Sequence, residues 1–585
     1  MVRISLATLL LLLCLFIQPG RVGAQEKPAS ITVFVAKKII TMNPGWPTGT
    51  AVAVRDGKIL SVGRTVADLA PWLEGNPHTI DRTFEGRVLL PGFIEAHGHP
   101  LIGGFVMTRK LTAYKDIQNP YGPPYTGVKT REAALAKLAG FHRQMPEPKE
   151  LLLSFGFDTI RFGGHLTRAE LDRISKTRPI AVLDNSQHFV YGNSAFIESN
   201  GFTPELAKRL PGTQLDANGE LNGQFLGTTA TAFVLREQMG RVLATAEGVE
   251  AIDYLVDVSR QGGITTQSEL VLGVANLDAE AKLYGDYFND PARPMRLVAV
   301  ADAASLRAQK KEGALSAYLE LQERSTDKLI FHGVKAFSDD SFTGLGMAVE
   351  GPGYLDGREG IYINQGPELV DLLLPYWKAG AHVHVHSNGN AGQDNTLAAL
   401  EELLRQYPRF DHRFTFEHTG MLAYAQARRM KALGAVASLN PYYVHDWGKV
   451  NEKFLGTDRA HLADRFRTLL DLGIVVSMHS DTPVGPARPL EWVSIAVNRL
   501  GDGGQVLAPD ERVSVEQALR MITIDAAYTL GVDDRMGSIE AGKFADFTVL
   551  DKSPFDVPKD GIRNIKVWGT VVGGTVFPAK DIRPR

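Results

Sequence analysis

The sequence contains almost no cysteine, since Cys14 is the only one in 585 residues. It lies inside an apolar stretch at the N-terminus that is predicted to be removed. The mature protein is therefore expected to have no thiol for a disulfide or for binding a metal as thiolate. Any metal site must then be built from histidine, carboxylate or chemically modified lysine.

Long apolar runs are also scarce. The most extended one covers residues 4–17, after the basic start Met1-Val2-Arg3 and before the small residues Val22-Gly23-Ala24. This order is typical of a cleaved signal peptide, which we predict over residues 1–24. No later stretch reaches the roughly 20 apolar residues of a membrane-spanning helix. We expect export to the periplasm or the medium, with no membrane contact after cleavage.

An excess of charge of either sign is missing. The formal net charge is −3, from 63 Lys and Arg against 66 Asp and Glu. This balance gives no reason to expect a nucleic acid or an anionic membrane surface as a partner. A hydrophobic content of 44% is ordinary for a globular protein. The length is sufficient for a main domain and a smaller one.

The two ends of the chain share a β-rich texture. Short strand-like runs joined by turns occur over residues 25–86, for example at 32–36 and 51–54, and recur over residues 531–585. Neither end has enough strands for a stable sheet of its own. The sequence therefore predicts that both ends pack together as one small β-sandwich domain.

Residues 87–530 alternate strand-like and helical patterns, which is typical of an α/β domain. The candidate parallel strands are 88–95, 263–268, 296–301, 333–338, 381–386, 414–418, 435–440 and 474–480. Eight such units favour a (β/α)8 TIM barrel over an open doubly wound sheet. The interval of about 105–245 is too long for one connection, so it is predicted to be an inserted subdomain over the barrel mouth.

The first candidate strand ends in the motif His97-Gly98-His99. Because side chains alternate along a strand, the two imidazoles are expected to point the same way. Two imidazoles at the carboxyl end of a buried strand make half of a metal site. From this motif alone, two polar loop histidines beside a strand remain an alternative.

Active sites of such barrels lie at the carboxyl ends of the strands, so the other strand ends are informative. Lys335 lies in the fourth candidate strand, His386 ends the fifth, His418 ends the sixth and Asp481 follows the eighth. Each has an ordinary alternative, such as a buried ion pair for Lys335 or a turn cap for Asp481. Their order at one barrel mouth favours a metal centre. His384 is expected one layer deeper and is not predicted to be a ligand.

Several motifs carry a family resemblance. They are Leu90-Pro91-Gly92-Phe93-Ile94-Glu95-Ala96-His97-Gly98-His99, Gly263-Ile264-Thr265-Thr266, Val334-Lys335-Ala336-Phe337-Ser338-Asp339, Glu417-His418, Ser480-Asp481-Thr482-Pro483-Val484 and Gly537-Ser538-Ile539-Glu540-Ala541-Gly542-Lys543-Phe544-Ala545-Asp546. With them the chain resembles the amidohydrolase superfamily, and within it the branch of the N-substituted formamide deformylases (amidohydrolase family 3). The resemblance covers nearly everything after the predicted signal peptide.

The resemblance implies a centre of two divalent metal ions. His97 and His99 would bind one ion, and His386 and His418 would bind the other. Lys335, carboxylated on its side-chain nitrogen, would bridge them. A carbamate suits this position because a free ammonium beside two dications would be repelled. Zinc is the default metal for such ligands, with manganese, iron and cobalt as alternatives.

The resemblance also implies a mechanism. Asp481 would bind the first ion and act as the proton shuttle. A hydroxide bridging the ions would attack a carbonyl carbon, and Asp481 would pass the proton to the leaving amine. The expected function is that of an exported, metal-dependent amidohydrolase acting on an amide-type carbon–nitrogen bond of a small molecule. Homo-oligomerisation is left open.

Part of the inserted region resembles a segment that lines the substrate pocket in this branch. It is His188-Phe189-Val190-Tyr191-Gly192-Asn193. His188 and Asn193 are therefore expected to contact substrate, with a structural loop histidine as the alternative for His188. His445, after the seventh strand, is a further candidate, and Phe157-Asp158 is a candidate pair at the mouth.

Three residues depart from the family pattern. Glu95 stands where the family usually has Asp, Asp340 where Gly is usual, and Asn390 where Asp is usual. None of them removes a ligand. They are expected beside the ligands, where neighbouring groups set ligand orientation, and they leave substrate preference open.

Two other functions compete with this one. A mononuclear deaminase of a ring amine would want a glutamate shortly after His386, where Ser387-Asn388-Gly389-Asn390 offers none, and Lys335 would be idle. A non-enzymatic exported binding or regulatory protein on the same fold would be expected to lose ligands. None is missing from the sequence.

Overall fold

The computed structural model describes residues 30–583. The predicted signal peptide, residues 1–24, lies outside the described residues. Within that part of the chain, no helix is both long and apolar enough to span a bilayer.

The strands fall into three sheets. In chain order they are β1 (Ile31–Ile40), β2 (Thr48–Arg55), β3 (Lys58–Gly63), β4 (His78–Pro91), β5 (Phe93–Ile94), β6 (Lys110–Leu111), β7 (Leu152–Phe157), β8 (Ile180–Asp184), β9 (Phe189–Gly192), β10 (Thr213–Leu215), β11 (Leu221–Leu226), β12 (Ile264–Leu272), β13 (Arg296–Asp302), β14 (Leu329–Phe337), β15 (Val383–Ser387), β16 (Thr415–His418), β17 (Val436–Leu439), β18 (Val476–Met478), β19 (Phe547–Leu550), β20 (Val567–Val572) and β21 (Thr575–Pro578).

Helices fill most of the connections. In chain order the α-helices are α1 (Ala70–Leu73), α2 (Pro100–Met107), α3 (Arg131–Gln144), α4 (Arg168–Ile174), α5 (Ser194–Ser199), α6 (Leu206–Arg209), α7 (Thr228–Ala244), α8 (Glu247–Gln261), α9 (Leu277–Phe288), α10 (Ala303–Lys310), α11 (Ala314–Glu323), α12 (Pro367–Lys378), α13 (Asn390–Gln406), α14 (Tyr424–Ala432), α15 (Glu452–Leu455), α16 (Thr457–His461), α17 (Phe466–Asp471), α18 (Pro489–Asn498), α19 (Val515–Met521) and α20 (Ile524–Thr529).

The central sheet contains eight parallel strands in the order β18-β17-β16-β15-β14-β13-β12-β5. Its two ends meet at the carboxyl side of the strands, where the Asp481 N–H donates to the carbonyl oxygen of His97 over 3.2 Å. The predicted (β/α)8 barrel class is confirmed. Seven of the eight predicted strands overlap the observed ones closely, because each is a short apolar run bounded by turn residues.

The first predicted barrel strand, 88–95, is instead shared by two sheets. β4 runs to Pro91 in the terminal sheet, and only Phe93–Ile94 pairs in the barrel. Gly92 lies at the crossing, where a Cβ atom would come within 1.9 Å of the Thr265 Oγ1 atom. A residue without a side chain is therefore required at this close approach.

Strands from both ends of the chain form one seven-stranded sheet, in the order β21-β20-β19-β4-β1-β2-β3. We predicted a sandwich of two sheets. A single sheet forms because the long strand β4 pairs along one edge with β1 and along the other with β19. The inserted region contains the third sheet, β10-β11-β9-β8-β7-β6.

A buried ion pair links the barrel to the terminal sheet. The Arg296 guanidinium at the start of β13 donates from Nε and Nη2 to the Asp546 carboxylate, over 2.6 and 3.0 Å. We expect Asp546→Ala to lower the free energy of unfolding by about 3–5 kcal/mol, because it leaves a buried guanidinium unpaired. The control, Asp551→Ala, removes a half-exposed partner of Arg87 and is expected to cost about 1 kcal/mol or less. Chemical denaturation measures both, and equal losses would contradict this role.

Candidate metal centre

The two histidines of the first motif are oriented by carboxylates. They follow β5 directly, and α2 begins at Pro100, whose fixed φ angle suits the first position of a helix. His97 Nδ1 lies 2.7 Å from Glu417 Oε2, and His99 Nδ1 lies 3.1 Å from Glu269 Oε1. Carboxylates on the Nδ1 atoms leave both Nε2 atoms free to bind a metal.

The free Nε2 atoms face Asp481. Its Oδ1 atom lies 3.2 Å from His99 Nε2 and 3.8 Å from His97 Nε2. Lys335 completes this side of the site, with its Nζ atom 3.4 Å from His97 Nε2. The structure thus brings together four of the six predicted ligands, from the ends of β5, β14 and β18.

Lys335 is fully buried in β14. Within residues 30–583, no carboxylate oxygen comes within the 4.0 Å of a salt bridge to its Nζ atom. Burial lowers the pKa of this amine to about 8. The buried ion pair that was the alternative for Lys335 in the sequence analysis is therefore not formed within these residues.

His418 forms the other side of the site together with a histidine that the sequence argument missed. The His418 and His97 rings lie 4.4 Å apart, and His418 Nδ1 lies 3.1 Å from His479 Nε2. One nitrogen from each of His97, His418 and His479 lies within 4.8 Å of the others. His479 precedes Asp481 by two residues, so strand alternation was the signal that could have revealed it.

His386 lies at the edge of this cluster. Its ring centre is 4.5 Å from that of His418, but its Nε2 atom faces Asn388 Nδ2 at 2.9 Å and the carbonyl oxygen of Asp340 at 3.2 Å. It belongs to neither of the three-residue groups whose ligand atoms converge. His384, which we did not predict to be a ligand, contacts Glu417 instead, with Nδ1 2.7 Å from Oε1.

Backbone strain marks two of the predicted ligands. His418 has φ of 75° and Asp481 has φ of 56°, both in the left-handed region that side chains rarely adopt. Such conformations cost free energy and persist where the surrounding structure enforces them, as at functional sites.

The charge states suit metal binding. Burial lowers the pKa of His97, His386 and His418 well below the usual range, which keeps these imidazoles neutral. Burial would also lower the pKa of His99, but Asp481 and Glu269 raise it to about 9. Burial opposes ionisation of Asp481, yet the hydrogen bond from His99 lowers its pKa to about 2. Neutral imidazoles and an ionised carboxylate are the donors that zinc and similar ions take. His97, His386, His418 and Asp481 already meet this requirement, and His99 would release its proton when a metal binds, so the residues fit a metal.

Of the three predicted substrate contacts, His188 reaches the site. Its Nδ1 atom lies 2.9 Å from Asp340 Oδ1, and its ring centre lies 5.3 Å from that of His386. Asp340, one of the three departures from the family pattern, therefore orients His188. Another departure, Glu95, accepts the backbone N–H of Ser480, next to Asp481, over 2.9 Å. Asn390 instead pairs with Glu350 near the surface, so it does not lie beside a ligand as predicted.

Asn193 lies elsewhere, and its placement does not support a substrate contact. Its Oδ1 atom accepts the backbone N–H groups of Ile180 and Phe196, each over 2.9 Å. Its Nδ2 atom donates to the carbonyl oxygens of Ser175 and Arg178, each over 2.8 Å. Because both polar atoms of its side chain form hydrogen bonds with backbone groups, Asn193 caps the N-terminus of α5 and holds the start of β8 in place.

His445 also lies outside the metal centre. It lines a separate cavity of about 460 Å³ together with Asp158 and Arg161. Its Nδ1 atom lies 2.6 Å from the carbonyl oxygen of Leu500. The predicted mouth residue Asp158 pairs with Arg161 in the same place. These residues thus line a neighbouring cavity and are not part of the metal centre.

The metal centre lines a cavity of about 380 Å³. The predicted ligands and His188 all contribute to its wall; they are His97, His99, His188, Lys335, His386, His418 and Asp481. An eight-stranded parallel barrel with histidines, lysine and aspartate at its carboxyl ends defines a metal-dependent hydrolase of the TIM-barrel type.

Comparison with known proteins agrees with this class. A sequence model described as the amidohydrolase family matches residues 84–578. The chain therefore belongs to the amidohydrolase family, and it is a metal-dependent hydrolase acting on carbon–nitrogen bonds. The resemblance predicted from the motifs is confirmed.

Individual relatives match over most of their length. An N-substituted formamide deformylase from Arthrobacter pascens is 28% identical over 530 residues, which cover 90% of this chain and 94% of that protein. The putative amidohydrolase YtcJ of Bacillus subtilis strain 168 is 24% identical, over 91% of this chain and 96% of that one. The crystal structure of an uncharacterized metal-dependent hydrolase from Pyrococcus horikoshii OT3 is similar in fold, with a TM-score of 0.67 and 20% identity over 91% of this chain and 99% of that chain.

Proposed function

We propose that the protein hydrolyses an amide-type carbon–nitrogen bond of a small molecule at a centre of two divalent ions, with zinc as the expected metal. The observation that carries this proposal is the convergence of His97, His99 and Asp481, with Lys335 3.4 Å from His97, on one cavity. The similarity to an N-substituted formamide deformylase supports the choice of an amide.

The ligand roles follow the positions of the side chains. His97 and His99 would hold one ion with Asp481, and His418 and His386 would hold the other. For His386 this requires a turn of the ring away from the Asp340 carbonyl oxygen. Divalent ions in this position polarise a carbonyl group and lower the pKa of water. The geometry also allows His479 to serve as a ligand beside His418.

Lys335 is proposed to be carboxylated and to bridge the two groups of ligands. Its Nζ atom is buried next to His97 and has no carboxylate partner within 4.0 Å in the described chain. A carbamate formed from this amine and carbon dioxide would supply the anion that the position lacks.

Asp481 is proposed to move the proton. Its side chain is 14% exposed and lines the cavity, so its carboxylate would be accessible to a bound substrate. The carboxylate oxygen would accept the proton of the attacking water and donate it to the nitrogen of the leaving amine. The contact of His99 Nε2 with Oδ1 holds the carboxylate in place.

The decisive experiment combines metal analysis with a substrate panel. Protein reconstituted with zinc is expected to hold about two ions per chain and to release free amines from N-substituted amides. Removal by a chelator is expected to abolish this activity, and zinc to restore it. One ion per chain together with release of ammonia from ring amines would establish the deaminase instead. No turnover of any amide, ester or lactone by metal-replete protein would favour the non-enzymatic alternative.

His188 is proposed to donate a hydrogen bond to substrate, held in orientation by Asp340. We expect His188→Ala to lower kcat/KM about 10- to 100-fold, the worth of one such bond to a charged or polarised group, with metal content unchanged. Asp340→Asn, which keeps the shape, is expected to lower it less. His445→Ala, which alters the neighbouring cavity, is the control variant and is expected to leave kcat/KM nearly unchanged. An equal loss in His445→Ala would show that both cavities bind substrate.

We also propose that the protein is exported, to the periplasm or the medium. The basic start, the apolar stretch of residues 4–17 and the small residues before Gln25 support this. N-terminal sequencing of protein recovered outside the cytoplasm is the test, with Gln25 as the expected first residue.

A further inference from the structure

The cavity beside the metal centre has a chemically distinct second wall. This wall is formed by α2, by α7, by α10 and by the end of β12. Its side chains include Phe105 and Val106 from α2, Leu235 and Met239 from α7, and Ala308 from α10. All of these are apolar, whereas the ligands opposite them are polar.

Two hydrogen-bonding side chains on this side of the cavity are engaged within the protein. Thr231 on α7 donates its hydroxyl to the carbonyl oxygen of His188 over 2.8 Å. Asp302 at the end of β13 accepts the backbone N–H of Ser305 over 2.7 Å. A group seated here would meet mainly carbon atoms, which favours an apolar group by the area it removes from water.

Lysine and arginine side chains are scarce in the lining of the cavity. Among the described residues that line it, the only lysine or arginine apart from Lys335 is Arg236. Arg236 lies on the exposed side of α7, with its guanidinium 5.5 Å from the centre of the Phe233 ring. Phe233 does not line the cavity. A carboxylate seated against Phe105, Leu235 and Met239 would lose its water and meet no cation among these side chains, which is costly.

We infer that the substrate carries an uncharged, apolar substituent on one side of its scissile carbon–nitrogen bond, seated against the wall formed by α2, α7 and α10. The site thereby discriminates against N-acyl amino acids and other substrates with a carboxylate at that place. This inference rests on the proposed function and narrows it. A cavity of about 380 Å³ lies in the range that holds small-molecule ligands.

The test compares two amides that differ by one carboxylate. N-formyl-2-phenylethylamine is the uncharged member, and N-formylphenylalanine carries a carboxylate on the carbon beside the nitrogen. The same comparison on the acyl side uses N-methyl-3-phenylpropanamide and its 2-carboxy derivative. In at least one pair, we expect zinc-loaded protein to show a kcat/KM about 100-fold higher for the uncharged member. In that series, each added methylene group is expected to raise kcat/KM by about fourfold.

A variant with a new cation tests the position of the wall. Leu235→Lys places an ammonium group among the apolar side chains. It is expected to lower the ratio of kcat/KM for the uncharged member to kcat/KM for the carboxylated member by about tenfold or more. Leu319→Lys, on the outer side of α11 where Leu319 is 41% exposed, is the matched control and should leave the preference unchanged. Arg236→Gln should also leave it unchanged.

The outcomes separate the two claims. If the carboxylated members are hydrolysed as well as the uncharged ones, or if Arg236→Gln abolishes their turnover, the inference is wrong and amide hydrolysis stands. If zinc-loaded protein hydrolyses no amide at all, the proposed function is wrong and the inference with it. The comparison uses the unaltered protein, so it does not depend on the folding of Leu235→Lys.

Discussion

Replacing Asp481 by asparagine is expected to lower kcat/KM for amide hydrolysis by about 10³-fold or more. Asparagine keeps the size of the side chain, but it has no ionised oxygen that can accept and return a proton. The expected change combines the loss of proton transfer with a weaker contact to His99, whose Nε2 atom lies 3.2 Å from Asp481 Oδ1.

Steady-state kinetics, metal analysis and thermal unfolding together check this expectation. The fold should persist, because Asp481 lies in a loop whose backbone is held by hydrogen bonds of its own to His97 and Val484. Asp502→Asn, in the neighbouring cavity, is the matched control and should leave kcat/KM nearly unchanged. Activity within about tenfold of the parent protein in Asp481→Asn would exclude Asp481 as the proton shuttle.

Lys335→Met is expected to abolish activity and to lower the metal content below that of the parent protein. Methionine fills the buried volume in β14 but cannot form a carbamate. Intact-mass measurement of the parent protein under non-denaturing conditions should show the added mass of one carbon dioxide, and the variant should lack it. In the smaller variant Lys335→Ala, a short carboxylic acid such as propionate is expected to restore part of the activity, since it can supply the missing anion.

Lys328 provides the matched control for this experiment. It precedes β14 at the opposite end of the strand from the metal centre, and burial lowers its pKa to about 8, as for Lys335. Its Nζ atom donates to the carbonyl oxygen of Arg293 over 2.5 Å. Lys328→Met should therefore keep its metal and its carboxylated lysine. Full metal content in Lys335→Met would refute the bridging role.

Much of the barrel was predictable because its strands are local patterns. The run 414–418 became β16 (Thr415–His418), and the run 296–301 became β13 (Arg296–Asp302). An apolar run of five or six residues between turn signals carries its own evidence for a buried strand. The strand boundaries within the run 88–95 were harder to predict, because its two halves pair with different sheets. Only pairing with distant parts of the chain divides the run at Gly92.

The positions of the candidate ligands along the chain followed from the same logic. Residues at the carboxyl ends of parallel strands meet at one mouth, so His97, Lys335, His418 and Asp481 could be grouped before any geometry was known. Their roles were a matter of resemblance. The contacts that orient them were not visible, because Glu417 reaches His97 from a strand that lies 320 residues further along the chain.

The sequence by itself determined the class of fold and the strand ends that carry the candidate ligands, and its only cysteine, Cys14, lies in the predicted signal peptide. Only the tertiary structure decided that His479 joins His418, that Asn193 and His445 lie outside the site, and that an apolar wall faces the metal centre. The division has a physical cause. Strand formation and alternation depend on near neighbours in the chain, whereas hydrogen-bond partners and cavity walls depend on which distant side chains pack together.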